Sequence, residues 1–162
     1  MPFEIERKFL VLGDSWRAAC RKPGQRFRQG YLMAGDDRPE GATVRVRRVG
    51  PFGFLTVKGP GRLVRAEFEY EIPAEEADSM LALLCRRPLL EKVRHEVEHD
   101  GLLWHIDEFD GPLAGLVLAE VELAAPDQEV VLPSWAGREV TGDMRFRNSA
   151  LAAEGMPQPT LR

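Results

Sequence analysis

The chain has 162 residues, enough for one domain with a substantial core, and 44% hydrophobic and 30% charged content is ordinary for a globular protein. A formal net charge of −4 argues against a surface built as a whole for nucleic acid. No run approaches the ~18 apolar residues of a membrane span. Acids stand in the opening MPFEIERKFL where a secretory signal would be apolar, so the expectation is a cytoplasmic protein with neither nucleic acid nor membrane as partner. Cys20 and Cys85 fit no metal or redox spacing and read as two reduced thiols.

Alternation of period two runs along most of the chain and predicts strands over 3–11, 28–33, 43–49, 54–58, 65–72, 91–98, 102–109 and 115–123. Turn residues separate them: Gly35-Asp36-Asp37-Arg38-Pro39, Gly50-Pro51, Gly59-Pro60-Gly61, Asp100-Gly101 and Asp110-Gly111-Pro112. Helices are predicted over 14–21, over 73–85, where Glu75 and Glu76 suit the first turn, and over 148–154, closed by Gly155. Residues 156–162 hold two prolines and read as a loose tail after one domain spanning 1–155. The fold class is mainly β with a few helices.

One face of nearly every strand is charged. Glu4, Glu6 and Lys8 oppose Phe3, Ile5 and Phe9; Arg45 and Arg47 oppose Val44 and Val46; Lys58 with Thr56 opposes Leu55 and Val57. Glu67, Glu69 and Glu71 oppose Phe68, Tyr70 and Ile72. Lys92 and Arg94 flank Val93, His105 and Asp107 flank Ile106, and Glu120 and Glu122 flank Val121. A face made only for solubility mixes signs, because neighbouring like charges repel. Here acids gather with acids and bases with bases, an arrangement that a ligand of both signs would neutralise. Hard divalent cations take several carboxylate oxygens, and phosphate chains take several Lys and Arg donors. Periodicity leaves open which face points inward. Bulky apolar faces could fill a barrel, or charges could line a wet tunnel with apolar faces under helices; the helix over 73–85 needs such a surface, which favours the second arrangement.

Glu4-Ile5-Glu6-Arg7-Lys8 resembles the Glu-x-Glu-x-Lys motif of the CYTH superfamily, the triphosphate tunnel metalloenzymes. Further motifs follow in order: Gln29-Gly30-Tyr31-Leu32, Val44-Arg45-Val46-Arg47, Leu55-Thr56-Val57-Lys58, Arg65-Ala66-Glu67-Phe68-Glu69, Glu91-Lys92-Val93-Arg94, Trp104-His105-Ile106-Asp107, Leu118-Ala119-Glu120-Val121-Glu122, and 140–148. The resemblance covers residues 2 to about 153. It implies a closed eight-stranded antiparallel β-barrel forming a tunnel, with charges inward and helices packed outside.

It further implies that Glu4, Glu6, Glu120 and Glu122, supported by Glu67, Glu69 and Asp107, hold Mg²⁺ or Mn²⁺. Lys8, Arg45, Arg47, Lys58, Arg65, Lys92, Arg94 and Arg145 are expected to cradle a triphosphate or short polyphosphate. Lys8, Glu4, Glu6 and Tyr31 are the catalytic candidates. Where many small relatives carry a base, this chain has Met144, and Ser149 stands at another position that is often basic. The expected activity is metal-dependent hydrolysis of a triphosphate, first inorganic tripolyphosphate. Nucleoside or thiamine triphosphate, a class IV-like adenylate cyclase and a non-catalytic polyphosphate binder stand as alternatives. The resemblance carries a homodimer as the expected assembly. His95 and His99 are expected at the surface, His105 beside the ligand face, and Trp16, Trp104 and Trp135 in packing.

Overall fold

Where apolar and charged side chains alternate, the chain forms long antiparallel strands. They are β1 (Phe3–Val11), β2 (Gln25–Ala34), β3 (Thr43–Val49), β4 (Phe52–Lys58), β5 (Val64–Ile72), β6 (Leu90–His99), β7 (Leu102–Phe109) and β8 (Val117–Glu122). The computed structural model describes residues 2–35 and 41–158. Positions 36–39 of the expected turn and 159–162 of the expected tail lie outside the described residues.

Hydrogen bonding runs in the order β5-β4-β3-β2-β6-β7-β8-β1, and a β1–β5 ladder closes the ring into an eight-stranded barrel. The closing ladder is short, with Phe3, Glu4 and Ile5 opposite Ala66, Arg65 and Val64. The other edge of β1 pairs with β8 from Glu6 to Leu10. A ninth strand, β9 (Ala136–Glu139), continues along the β5 side of β1 at Phe9 and Val11. Its four residues show no alternation, which is why the sequence pattern passes over it. The β6–β7 hairpin turns at Asp100 and Gly101, both with positive φ (50° and 76°), the geometry for which Asp-Gly is suited.

The apolar faces point outward and most are covered, whereas Phe68 and Tyr70 on β5 stay exposed. Helix α1 (Ala74–Leu83) lays Ala77 and Leu81 on Val46, with Leu55 and Ile72 beside them. It approaches so closely that a Cβ on Gly53 would lie 2.8 Å from that of Ala77. On the other side Phe9, Trp104, Ile106 and Val121 pack beneath Trp16 and Trp135, and Trp104 meets Trp135 edge-on at 5.4 Å. Trp16 rides on a short 3₁₀ turn, Ser15–Ala19, within the short helical segment expected over 14–21. His95, expected at the surface, is half-buried against Trp16, with Nε2 2.7 Å from Glu108.

The second helix, α2 (Asn148–Glu154), has another place. Its Leu151 packs with Leu90, Phe109 and Leu118, which share the inward phase of Lys92, Asp107 and Glu120. Together with Phe146 and Val140 they fill one end of the barrel with apolar side chains, so the charged interior is confined to the remainder. Both cysteines are free, and no helix among the described residues is long and apolar enough to cross a membrane.

Candidate functional site

Inward phase on eight strands produces a cavity of about 300 Å³. Glu4, Glu6 and Lys8 enter it from β1, Tyr31 from β2, Arg45 and Arg47 from β3, and Lys58 from β4. Arg65, Glu67 and Glu69 come from β5, Lys92 and Arg94 from β6, His105 from β7, and Glu120 and Glu122 from β8. Of the predicted site residues, only Asp107 and Arg145 do not line it. The open question of which face points inward is thereby decided: the charges are inside.

Acids crowd the β8–β1–β5 side. Strand register sets Glu6 opposite Glu122, and Lys8 opposite Glu120. Lys58 Nζ lies 2.8 Å from Glu4 and 3.3 Å from Glu67. Burial and the charges of Glu120 and Glu4 raise the Glu6 carboxyl well above its usual range. Burial also raises Glu67, aided by Glu4, whereas at Glu4 the charge and hydrogen bond of Lys58 outweigh burial and lower it. At Glu120 burial is overcome by Lys8 and Arg94, and the carboxyl falls to about 2. Lys8 Nζ donates to the Phe146 carbonyl at 3.1 Å and lies 3.5 Å from Glu120.

Bases gather on β3 and β6. Lys92, fully buried, donates to Asp107 Oδ2 at 2.7 Å and to Asn148 Oδ1 at 3.0 Å. Arg94 grips Asp107 with Nε and Nη2 at 2.8 and 2.9 Å and reaches Glu120 at 3.3 Å. Burial together with the cations Arg94 and Arg47 outweighs Asp107 and pushes Lys92 down to about 7. Arg47 is pushed to about 9 by burial and by Arg45 and Arg94. Its Nε donates to Gln29 Oε1 at 2.8 Å, and Gln29 Nε2 donates to the Tyr31 hydroxyl at 3.1 Å. Arg45 Nη2 donates to Thr56 at 3.2 Å, while its Nε is buried without a hydrogen-bond partner among the described residues. A buried donor left in this way is stabilised by an acceptor brought from outside.

Two of the expected site residues stand apart from the cavity lining. Asp107 is completely buried, and its oxygens accept from Lys92 and Arg94, so it is spent on the basic side and presents nothing to a cavity-bound ion. Arg145 does not line the cavity; its Nη2 lies 2.6 Å from Oδ2 of Asp143, which does. The neighbouring arginine, Arg147, lines the cavity instead and donates to the Gly61 carbonyl. Arg62 also lines it and donates to the Gly142 carbonyl at 2.9 Å, and Asn148 and Ser149 join from the start of α2. Arg145 and Arg147 are two apart outside any strand, so no alternation was available to tell them apart.

The divalent metal implied by the resemblance can be tested against these groups. The cavity acids supply only hard oxygen donors, and two of them, Glu6 and Glu67, are held above their usual range by burial and by neighbouring carboxylates, a tension that a dication relieves. Among the described residues no three acids, histidines or cysteines already converge as a ligand set; Glu4 is turned to Lys58, and Glu120 to Lys8 and Arg94. The donor chemistry fits, and a cation would take Glu4 and Glu120 in exchange for these ammonium and guanidinium partners.

Comparison with known proteins agrees with this geometry. The sequence matches the CYTH domain over residues 2–149. It is 46% identical over 151 residues to an inorganic triphosphatase of Acetivibrio thermocellus, a match covering 91% of this chain and 92% of that protein. An inorganic triphosphatase of Nitrosomonas europaea is 39% identical over 152 residues, 92% of this chain and 96% of its own length. A crystal structure of an inorganic triphosphatase matches with a TM-score of 0.65 at 35% identity, covering 94% of this chain and 95% of that one. A match running from the first strand into the last helix leaves no strand of the barrel outside it, and the chain belongs to the CYTH domain family.

Proposed function

We propose that the protein hydrolyses inorganic tripolyphosphate to pyrophosphate and phosphate inside its barrel. The observation that carries this reading is the division of one small cavity into a basic and an acidic side, the complement of a polyanion with its dication. The two relatives are both named inorganic triphosphatases. The cavity lies at the lower limit of the ~300–1,000 Å³ usual for organic ligands, and charged side chains dominate its lining, which favours a substrate with no organic group.

Arg45, Arg47, Lys92 and Arg94 hold phosphate oxygens, with Arg147 in the place expected for Arg145, Lys58 on β4 beside β3, and Arg65 on the closing strand β5. The unpartnered Arg45 Nε gains an acceptor when substrate binds. Membership in the family implies a divalent cation; Mg²⁺ or Mn²⁺ suits the oxygen donors of Glu4, Glu6, Glu120 and Glu122, with Glu67 and Glu69 beside them. Held there, a divalent ion would supply positive charge against the substrate's oxygens and Lewis acidity at the phosphoryl group to be transferred. Lys8, donating toward the Phe146 carbonyl and facing Glu120, contributes positive charge where the anhydride bond breaks. A water oxygen bonds to the terminal phosphorus, the P–O anhydride bond breaks, and pyrophosphate leaves.

The test is phosphate release from tripolyphosphate, ATP and thiamine triphosphate in Mg²⁺, Mn²⁺ or chelator. Tripolyphosphate is expected to be the preferred substrate, and only with metal. Glu4→Gln and Glu120→Gln should each lower turnover about 100-fold or more, the scale of losing one preorganised electrostatic group, with the circular dichroism spectrum unchanged. Wild-type turnover in both variants would remove the metal assignment; preference for an organic triphosphate would move the substrate assignment.

A further inference from the structure

Phe27 stands on the inward face of β2, buried at 7% exposure. Three cations gather on its ring: Arg47 Cζ lies 4.6 Å from the centroid, Arg94 Cζ 4.9 Å and Lys92 Nζ 5.8 Å. They come from β3 and β6, the two strands that flank β2, so the ring sits between both halves of the basic side. Lys92 and Arg94 also share Asp107. Arg47 has no carboxylate within ion-pair distance among the described residues; what holds it is Gln29 Oε1 and the face of Phe27.

Three cations placed together before any anion arrives, Lys92 buried and Arg47 and Arg94 half-buried, repel one another and have lost water. A ring face carries the negative part of an aromatic quadrupole and attracts cations within about 6 Å of its centroid. A ring contact uses none of a guanidinium's N–H groups, so at Arg47 those beyond the Nε bonded to Gln29 are left for an oxyanion, whereas Arg94 already gives Nε and Nη2 to Asp107. A carboxylate in the same place would occupy those N–H groups and compete with phosphate. A ring face does not.

We propose that Phe27 is a positioning residue of the anion-binding side, its ring gathering Arg47, Arg94 and Lys92 into one preassembled cradle for a polyphosphate. The inference rests on the triphosphatase reading and adds to it a group that carries no charge and touches the substrate only through the cations it holds. Phe27 escaped the sequence motifs because an apolar residue in an alternating strand gives no sign of which cations will cover it.

The test replaces Phe27 with 4-fluoro-, 3,5-difluoro- and 3,4,5-trifluorophenylalanine, which nearly keep the ring's shape while draining its face of electron density. Tripolyphosphate is titrated calorimetrically into each protein in chelator, and KM and kcat for tripolyphosphate are measured in Mg²⁺. Affinity should weaken stepwise with each fluorine, reaching roughly three- to tenfold at the trifluoro ring, with KM rising in parallel and kcat moving less. Phe27→Leu should fall at or beyond the trifluoro end. An apolar floor with no electrostatic role predicts equal or tighter binding along the series, because fluorination makes the ring no less hydrophobic; that result would overturn the proposal. If the unmodified protein neither binds nor cleaves tripolyphosphate, the triphosphatase reading itself falls and takes this inference with it.

Discussion

At Asp107 both carboxylate oxygens are taken, Oδ1 by Arg94 Nε and Oδ2 by Lys92 Nζ and Arg94 Nη2, with no exposure to solvent. Burial would raise this carboxyl, but Arg94 and Lys92 outweigh it and hold it far below the usual carboxylate range. Replacing a buried charge that serves two cations leaves them uncompensated, so Asp107→Asn should cost about 3–5 kcal/mol in urea unfolding at neutral pH. A depressed folded-state pKa stabilises the fold above the unfolded value, about 3.9, and that contribution is lost as pH falls below it. The gap between wild type and Asp107→Asn should therefore narrow below about pH 4. Glu6 has the opposite sign. Its carboxyl is raised by burial and by Glu120 and Glu4, so it is more readily protonated than a free carboxylate; Mn²⁺ binding should displace the proton to the extent that it is present, and metal affinity should fall as pH drops through that raised pKa. Glu6→Gln should abolish that share of the release in a weakly buffered titration.

Among the elements, α2 couples stability to the site. Leu151 is 1% exposed within the apolar plug, and Asn148 at the helix start accepts from Lys92 at 3.0 Å. Leu151→Ala should cost about 2–5 kcal/mol in urea unfolding, the usual range for a buried leucine whose surroundings relax only in part. Strand β2 has a comparable double role: Phe27, Gln29 and Tyr31 carry no charge, yet they touch the cations of both neighbouring strands or each other. The eight long strands were legible from alternation, three of them (Phe3–Val11, Thr43–Val49 and Leu102–Phe109) with the observed ends. β9 was not, because four residues without alternation leave no periodic trace, whereas the short helical segment read over 14–21 is present as the 3₁₀ turn Ser15–Ala19.

For the whole molecule, closure is the weak point of the barrel. Three residue pairs join β1 to β5, whereas β6 and β7 pair over eight, from Lys92–Phe109 to His99–Leu102. Opening free energy follows the number of ladder bonds and packed side chains lost, so amides of Phe3–Ile5 and Val64–Ala66 should exchange with deuterium faster than those of the β6–β7 hairpin. Glu4 and Lys58, held together at 2.8 Å beside that closure, belong to the cavity lining, so tripolyphosphate with Mg²⁺ should slow exchange at the seam more than elsewhere. Equal exchange at seam and hairpin in the free protein would show that closure is as firm as the rest of the ring.

The sequence by itself determined the eight long strands, the segregation of acids from bases and, through ordered motifs, the family. Period-two alternation is a local property, and residues such as Glu4, Arg45 and Glu120 carry their chemistry with them wherever their face points. Only the tertiary structure decided which face lies inside, that Asp107 serves Lys92 and Arg94, that Arg147 and not Arg145 reaches the cavity, and that Phe27 carries three cations. The physical reason is common to all four: each depends on which segments of the chain become neighbours around a closed ring, and neighbours such as β2 and β6, about 65 residues apart in the chain, are specified by packing and register across the whole barrel.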